Sequence, residues 1–246
     1  MHRTKWQFLL ALFLISLSAL SYLAHFLLFK DLHHILIYLV GDIAFVPVEV
    51  LLVTLIIHRL LSEREKRSRL EKLNMVIGTY FSETGTPLLF HIARFDKQRD
   101  ELGKKLVINK DWTKNNFITI KETIRNHPHE LAAKKSGLVN IRKFLMGKRD
   151  FLLRLLENPN LLEHESFTEH LRAVFHLCDE LGNRKNLLLA PQTDIDHLNG
   201  DIKRAYRSMI NEWLDYMFYL KKDYPYLFSL AVRTNPFDAS ASPVVK

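Results

Sequence analysis

Residues 35–57, ILIYLVGDIAFVPVEVLLVTLII, run straight into residues 58–81, HRLLSEREKRSRLEKLNMVIGTYF, with no Gly or Pro between Val48 and Ile77. The first half is apolar on every side and long enough to cross a bilayer, which takes roughly 20 residues at about 1.5 Å rise each. The second half is polar on every side through Ser62–Arg69, so no core can take it. Glu63 with Arg67 and Glu65 with Arg69 have the acid-first i,i+4 order that supports an exposed helix. Apolar spacing returns at Leu70, Leu73, Val76, Ile77, Tyr80 and Phe81, where such a helix would dock on a folded domain. The expectation is one helix leaving a membrane and entering a soluble domain.

Upstream, Trp6–Phe29 is a second run without a formal charge, separated from the first by Lys30-Asp31-Leu32-His33-His34. It is longer than the apolar core of a signal peptide, usually about 7–15 residues, so an anchor is expected and not a cleaved leader. Two spans (about 6–29 and 35–57) with so short a link form an antiparallel hairpin over residues 1–58. Arg3 and Lys5 precede it, whereas Arg59, Arg64, Lys66, Arg67, Arg69 and Lys72 follow it, and the turn offers only Lys30. The positive-inside rule then places both termini in the cytoplasm, at the cell's inner (plasma) membrane. Arg59, Arg64, Lys66, Arg67 and Arg69 are also placed to touch anionic headgroups.

Composition agrees with a folded chain: 246 residues, 48% apolar and 25% charged. Three bases and three acids cancel before Ile57, so the net charge of +8 sits in residues 58–246. A lone Cys178 excludes an internal disulfide.

Asp42 and Glu49 are the costly residues of the second span. They lie seven positions apart and therefore share a helical face, with Gly41 and Pro47 beside them. An intramembrane carboxylate costs on the order of 2.5–3.5 kcal/mol at a helix centre. Either this face lines an ion or proton path at the centre of an oligomer, or Asp42 bonds His25 or Tyr38 and Glu49 bonds a neighbouring helix.

The remainder reads as helices. Residues 59–83 form the stalk, 84–235 a cytoplasmic helical domain, and 236–246 a disordered tail. Thr86-Pro87 is expected to start a helix and Thr113 to cap another. Helices are expected at 136–157 and, behind a Ser166/Glu169 capping box, along Phe167, Leu171, Val174, Cys178 and Leu181. A long one carries Ile202, Ala205, Met209, Trp213 and Met217 inward. The fold class is thus all-α, a two-helix transmembrane hairpin continuing through a stalk into a helical bundle. RDFLLRLLENPNLLEHESFTEHLRAVFHL (149–177), DYPYLFSLAVRTNPFD (223–238) and GDIAFVPVEVLLVTLIIHRLL (41–61) resemble segments of an uncharacterised prokaryotic membrane-protein family. That resemblance implies two N-terminal spans and a helical cytoplasmic domain, and it carries no activity or site.

Little else points to chemistry. His164, His170 and His176 recur every six residues, about 240° apart on a helix, so one helix cannot aim them at one ion. His176 with Asp179 or Glu180, and Asp194 with His197, have i,i+3 or i,i+4 spacing, but no Glu-x-x-His motif of a di-iron bundle occurs. Glycine loops for phosphates and nucleophile elbows are missing. The bases between Lys121 and Arg149 lack a nucleic-acid motif or interleaved exposed aromatics. No catalytic residue, metal site, cofactor or nucleic-acid partner is therefore expected. The expected role is a non-catalytic interaction, scaffold or signalling module, with the bilayer, further copies of the chain and a cytoplasmic protein as partners. A subunit of an ion- or proton-conducting oligomer is the alternative.

Overall fold

The computed structural model describes residues 2–162 and 164–245, with side chains from Lys5 onward. Met1, Glu163, Lys246 and the side chain of Arg3, which enters the orientation argument, lie outside the described residues. The chain divides into two units, residues 1–67 and 68–246.

The first unit holds helix α1 (His2–Phe29) and the N-terminal part of helix α2 (Leu32–Tyr80). Between them the chain reverses at Lys30, whose φ of 51° is left-handed, while Asp31 Oδ1 accepts the His34 N–H at 3.1 Å and caps α2. Tyr22 approaches Asp42 and His25 stacks on His34, so the two helices run antiparallel. The large apolar side chains of both helices are uncovered: Phe8, Ile15, Leu28, Val40 and Ile43 are each more than 60% exposed. Pro47 lies inside α2 and does not end it.

The second unit is an all-helical bundle, and the described residues contain no strand beyond an isolated Asp96–Leu131 bridge. Its elements after α2 are α3 (Thr86–Ala93), α4 (Arg99–Leu106), α5 (Lys114–Asn126), α6 (Lys135–Met146), α7 (Arg149–Leu156), α8 (Pro159–Leu162), α9 (Glu165–Asn183), α10 (Gln192–Asp223) and α11 (Pro225–Arg233). Helix α10 is the hub and packs on α9, α5, α11 and α3. Its Ile202, Ala205, Met209, Trp213 and Met217 form the expected stripe, Ile195 and Leu198 extend it, and Tyr206, Ile210 and Leu214 widen it. A helix apolar over so wide an arc is a central one. Phe167, Leu171, Val174, Cys178 and Leu181 of α9 are buried as their spacing predicts. The stalk docks through Leu73, Ile77, Tyr80 and Phe81, whereas Leu70 stays 47% exposed.

Four local expectations change. Thr86 does not cap a new helix. Residues Phe81–Gly85 form a π-turn, with the Thr86 N–H on the Phe81 carbonyl, and the helical path passes into α3. Pro87 has no N–H for Glu83, and the wider π-turn absorbs that loss. The helix expected over 136–157 breaks at Gly147-Lys148, where the Lys148 N–H turns back to Leu145 at 2.9 Å. At α9 the cap is His164, whose Nδ1 accepts the Phe167 N–H at 3.3 Å, in place of Ser166 with Glu169. Past residue 235, finally, the chain is not loose: Asn235, Pro236 and Phe237 are buried. The Asn235 amide donates to the Leu106 carbonyl at 2.8 Å, and the Phe237 ring meets Trp213 edge-on at 5.3 Å. Thr113, by contrast, caps α5 as expected and shares a capping box with Asn116.

Candidate functional site

Of the residues singled out in the spans, Asp42 and Glu49 are both exposed on α2. Tyr22 replaces the expected partners of Asp42, its hydroxyl 3.5 Å from Oδ2, at the outer limit of a hydrogen bond. His25 instead stacks against His34 at 5.8 Å and tilts over Phe29 at 4.8 Å. In the basic stretch Arg59 meets Glu63 at 3.3 Å with both side chains well exposed, a pair worth little in water. Arg64 and Lys66 are exposed as well, as are Arg67 and Arg69.

Three polar constellations lie inside the bundle, and of their pairings only His176 with Glu180 and Asp194 with His197 showed in the sequence spacing. The first joins α2, α9 and α10. Tyr80 Oη lies 2.6 Å from His170 Nε2, His170 Nδ1 lies 2.9 Å from Ser208 Oγ, and Ser208 Oγ donates to the Ala205 carbonyl at 3.0 Å. Since Ser208 spends its proton on that carbonyl, it must accept from Nδ1–H, and Nε2 must accept from the Tyr80 hydroxyl. Every proton is thereby placed on a neutral imidazole. Burial pushes His170 down to about 3, and burial with the Glu212 carboxylate pushes the Tyr80 phenol up. Tyr80 and His170 are both fully buried.

The second gathers Asp96, His127 and His129. His129 Nε2 donates to the Ile124 carbonyl at 3.1 Å, and its Nδ1 lies 3.9 Å from Asp96 Oδ2, both side chains fully buried. Asp96 Oδ1 accepts the Gln98 N–H at 2.9 Å. Burial would raise the Asp96 carboxyl, but the nearby His129 ring and the Gln98 N–H hold it below its usual value. His127 is lowered by burial and by the neighbouring His129.

The third lies where α9 and α10 run side by side. His176 and Glu180 sit one turn apart on α9, and His197 and Asp201 one turn apart on α10. Asp201 Oδ2 is 3.4 Å from His197 Nε2 and 3.6 Å from His176 Nε2. Glu180 lies 3.5 Å from His197 Nε2 and 3.9 Å from His176 Nε2. Arg184 bonds Glu180 Oε2 at 2.7 Å and grips Asp194 through two bonds of 2.6 and 2.8 Å. The Arg184 bond holds the Glu180 carboxyl below its usual range, and the two imidazoles add to the effect. Asp96, His127 and His129 in the second cluster, and Glu180, His197 and Asp201 in the third, each present three donors close enough for one metal ion, with His176 at the edge of the third. Toward the C-terminal end of α10, a groove of about 780 Å³ is lined by Met75, Gly78, Tyr216, Tyr219 and Tyr226.

A family described as uncharacterized protein MJ1433, C-terminal helical domain, matches residues 69–233, and its companion N-terminal helical domain matches residues 2–61. Uncharacterized protein MJ1433 of Methanocaldococcus jannaschii is 45% identical over 238 residues, which cover 97% of this chain and 96% of that one. The chain belongs to the MJ1433 family. No solved structure matches it. The gap between the two MJ1433 domains, residues 62–68, falls beside the division after Arg67, so sequence relationship and packing part the chain at the same place. All three polar constellations lie within the MJ1433 C-terminal helical domain, because their residues run from Tyr80 to Ser208.

Proposed function

We propose that this MJ1433-family chain is an integral membrane protein whose helical bundle acts on the cytoplasmic side, through protein or lipid contacts. One observation carries the reading: α1 and the first half of α2 are long, apolar and uncovered along their whole length. Burying such a surface in lipid recovers about 25 cal/mol per Å² of apolar area, and leaving it in water forfeits the same. Inside a bilayer the two helices satisfy their own backbone groups, as a spanning segment must. The basic run Arg59, Arg64, Lys66, Arg67 and Arg69 favours the cytoplasmic leaflet and puts both termini on that side. Glu49, exposed on α2, then bonds a polar group of a second copy, while Asp42 stays within reach of Tyr22 on its own α1, so the protein self-associates in the plane of the membrane.

Cysteine mapping tests the orientation directly, because native Cys178 is buried and silent. His33→Cys in the turn should react with an impermeant maleimide on intact cells. Ala239→Cys near the C-terminus should react only after permeabilisation. The reverse pattern, or release of the protein by carbonate without detergent, would refute the reading.

A further inference from the structure

The geometry points to a divalent transition-metal site between α9 and α10, built from His176, Glu180, His197 and Asp201. Nothing in the membrane-anchor reading requires it. The ligands come as two His-x-x-x-acid pairs, one on each helix, and i,i+4 spacing sets both members of a pair on one face. The helices are antiparallel neighbours joined by a short connection, so the pairs meet with acid opposite histidine: Asp201 faces His176 and Glu180 faces His197.

The separations fit an ion. In a tetrahedral site with metal–ligand bonds of about 2.0–2.1 Å, neighbouring donors stand roughly 3.3 Å apart. His197 Nε2 stands 3.4 Å from Asp201 Oδ2 and 3.5 Å from Glu180 Oε2, close to that spacing, and His176 Nε2, 3.6 Å from Asp201 Oδ2 and 3.9 Å from the other Glu180 oxygen, Oε1, is the looser fourth ligand. These distances are too long for the hydrogen bonds that a plain network of ion pairs would make.

A second observation is independent of those distances. The Asp201 side chain is only 4% exposed, and its Oδ2, pointing into the cluster, has no hydrogen-bond partner. A buried carboxylate oxygen left unpaired is expensive, and an ion held among these four donors would satisfy it. Its other oxygen faces the exposed guanidinium of Arg204 at 3.4 Å. Two carboxylates offset a dication, while Asp194 neutralises Arg184 behind Glu180 and Arg204 lies largely exposed to solvent. The Asp194–Arg184–Glu180 chain is the kind of outer shell that fixes a ligating carboxylate in place.

Two imidazole nitrogens and two carboxylate oxygens, without a thiolate, suit zinc, manganese, iron or cobalt better than magnesium or calcium. The His176 and His197 side chains are 46% and 56% exposed, so solvent reaches the ion. A water or a small anion can therefore add as an exchangeable ligand.

The experiment uses the full chain in detergent, stripped with a chelator and dialysed against zinc, with cobalt as a spectroscopic probe. Wild type should retain an equivalent of zinc that His197→Gln and Asp201→Asn each weaken at least tenfold. It should also show the visible cobalt bands of a nitrogen–oxygen site. His197 is largely exposed, so the His197→Gln apoprotein should melt as wild type does while losing the rise in Tm that zinc confers. Failure of wild type to retain zinc would overturn the proposal. So would retention that both variants leave intact, or that only His127→Gln abolishes.

Discussion

Replacing His170 by Gln tests whether the buried relay from Tyr80 to Ser208 makes the bundle acid-sensitive. A glutamine can keep both bonds, its carbonyl accepting from the Tyr80 hydroxyl and its amide donating to Ser208, while removing the only ring in the chain of bonds that can take up a proton in acid. At pH 7.5 the imperfect fit should cost about 1–3 kcal/mol, the usual range for disturbing a buried hydrogen-bonded group. The folded-state value of His170 is about 3, against an ordinary 6.5 in the unfolded chain. Between these limits the unfolded state binds the extra proton. The histidine's contribution is thus fully present above pH 6.5 and is lost as pH falls toward 3. Each pH unit in that window costs roughly 1.4 kcal/mol, so wild type gives up about 2–3 kcal/mol between pH 6.5 and 4.5 that the variant keeps. Glu212 works in the opposite sense over much of the same range, and for that reason the difference between the two proteins is the informative quantity. Urea unfolding of the full chain in detergent, followed by tryptophan fluorescence at four values from pH 4.5 to 7.5, measures it. His170→Gln should be the weaker protein at pH 7.5 and equal or exceed wild type at pH 4.5. A stability difference that does not change with pH would refute the neutral, proton-ordered relay.

Glu212 is 5% exposed, and burial lifts its carboxyl to about 7 from an ordinary 4.5, with Asp215 adding to the rise and Lys121 opposing it. A raised folded-state value is a stabilisation present below pH 4.5 and lost as pH climbs through 7. Glu212→Gln should therefore gain up to about 3 kcal/mol over wild type at pH 8 and little at pH 4.5, read from the same unfolding curves. In α4, a Cβ on Gly103 would stand 2.9 Å from the Phe237 carbonyl oxygen, a backbone atom that cannot step aside cheaply. Gly103→Ala should dislodge residues 235–238 and open the C-terminal segment to limited proteolysis, even though alanine is favoured within a helix by about 1 kcal/mol. An unchanged digestion pattern would show that the segment's docking does not depend on that contact.

Apolar periodicity made the helices of the bundle legible because burial on one face is a local property of the chain. Ile202, Ala205, Met209, Trp213 and Met217 announce the inward side of α10 whatever packs on it. The docked tail was hidden for the opposite reason. Proline, serine and alanine after Asn235 look unstructured locally, and only the unpaired Leu106 carbonyl and the face of Trp213, far away in sequence, give Asn235 and Phe237 a place. His170 stood between. It lies three residues after Phe167 and four before Val174, inside a row of core positions, so its burial was readable while its partners Tyr80 and Ser208 were not. The histidine–carboxylate cluster follows the same logic one step further. Testing whether a single helix could aim three histidines at one ion rejects α9, correctly, since six-residue spacing scatters them. Yet an i,i+4 pair is half a coordination shell, and two such pairs on successive antiparallel helices complete one whenever the pairs lie at matching heights. His176 and Glu180 lie seven and three residues before Asn183, where α9 ends, and Asp201 and His197 lie nine and five residues after Gln192, where α10 starts. That near-symmetry about the connection brings the four side chains level, and it was visible in the sequence once helices were read as pairs.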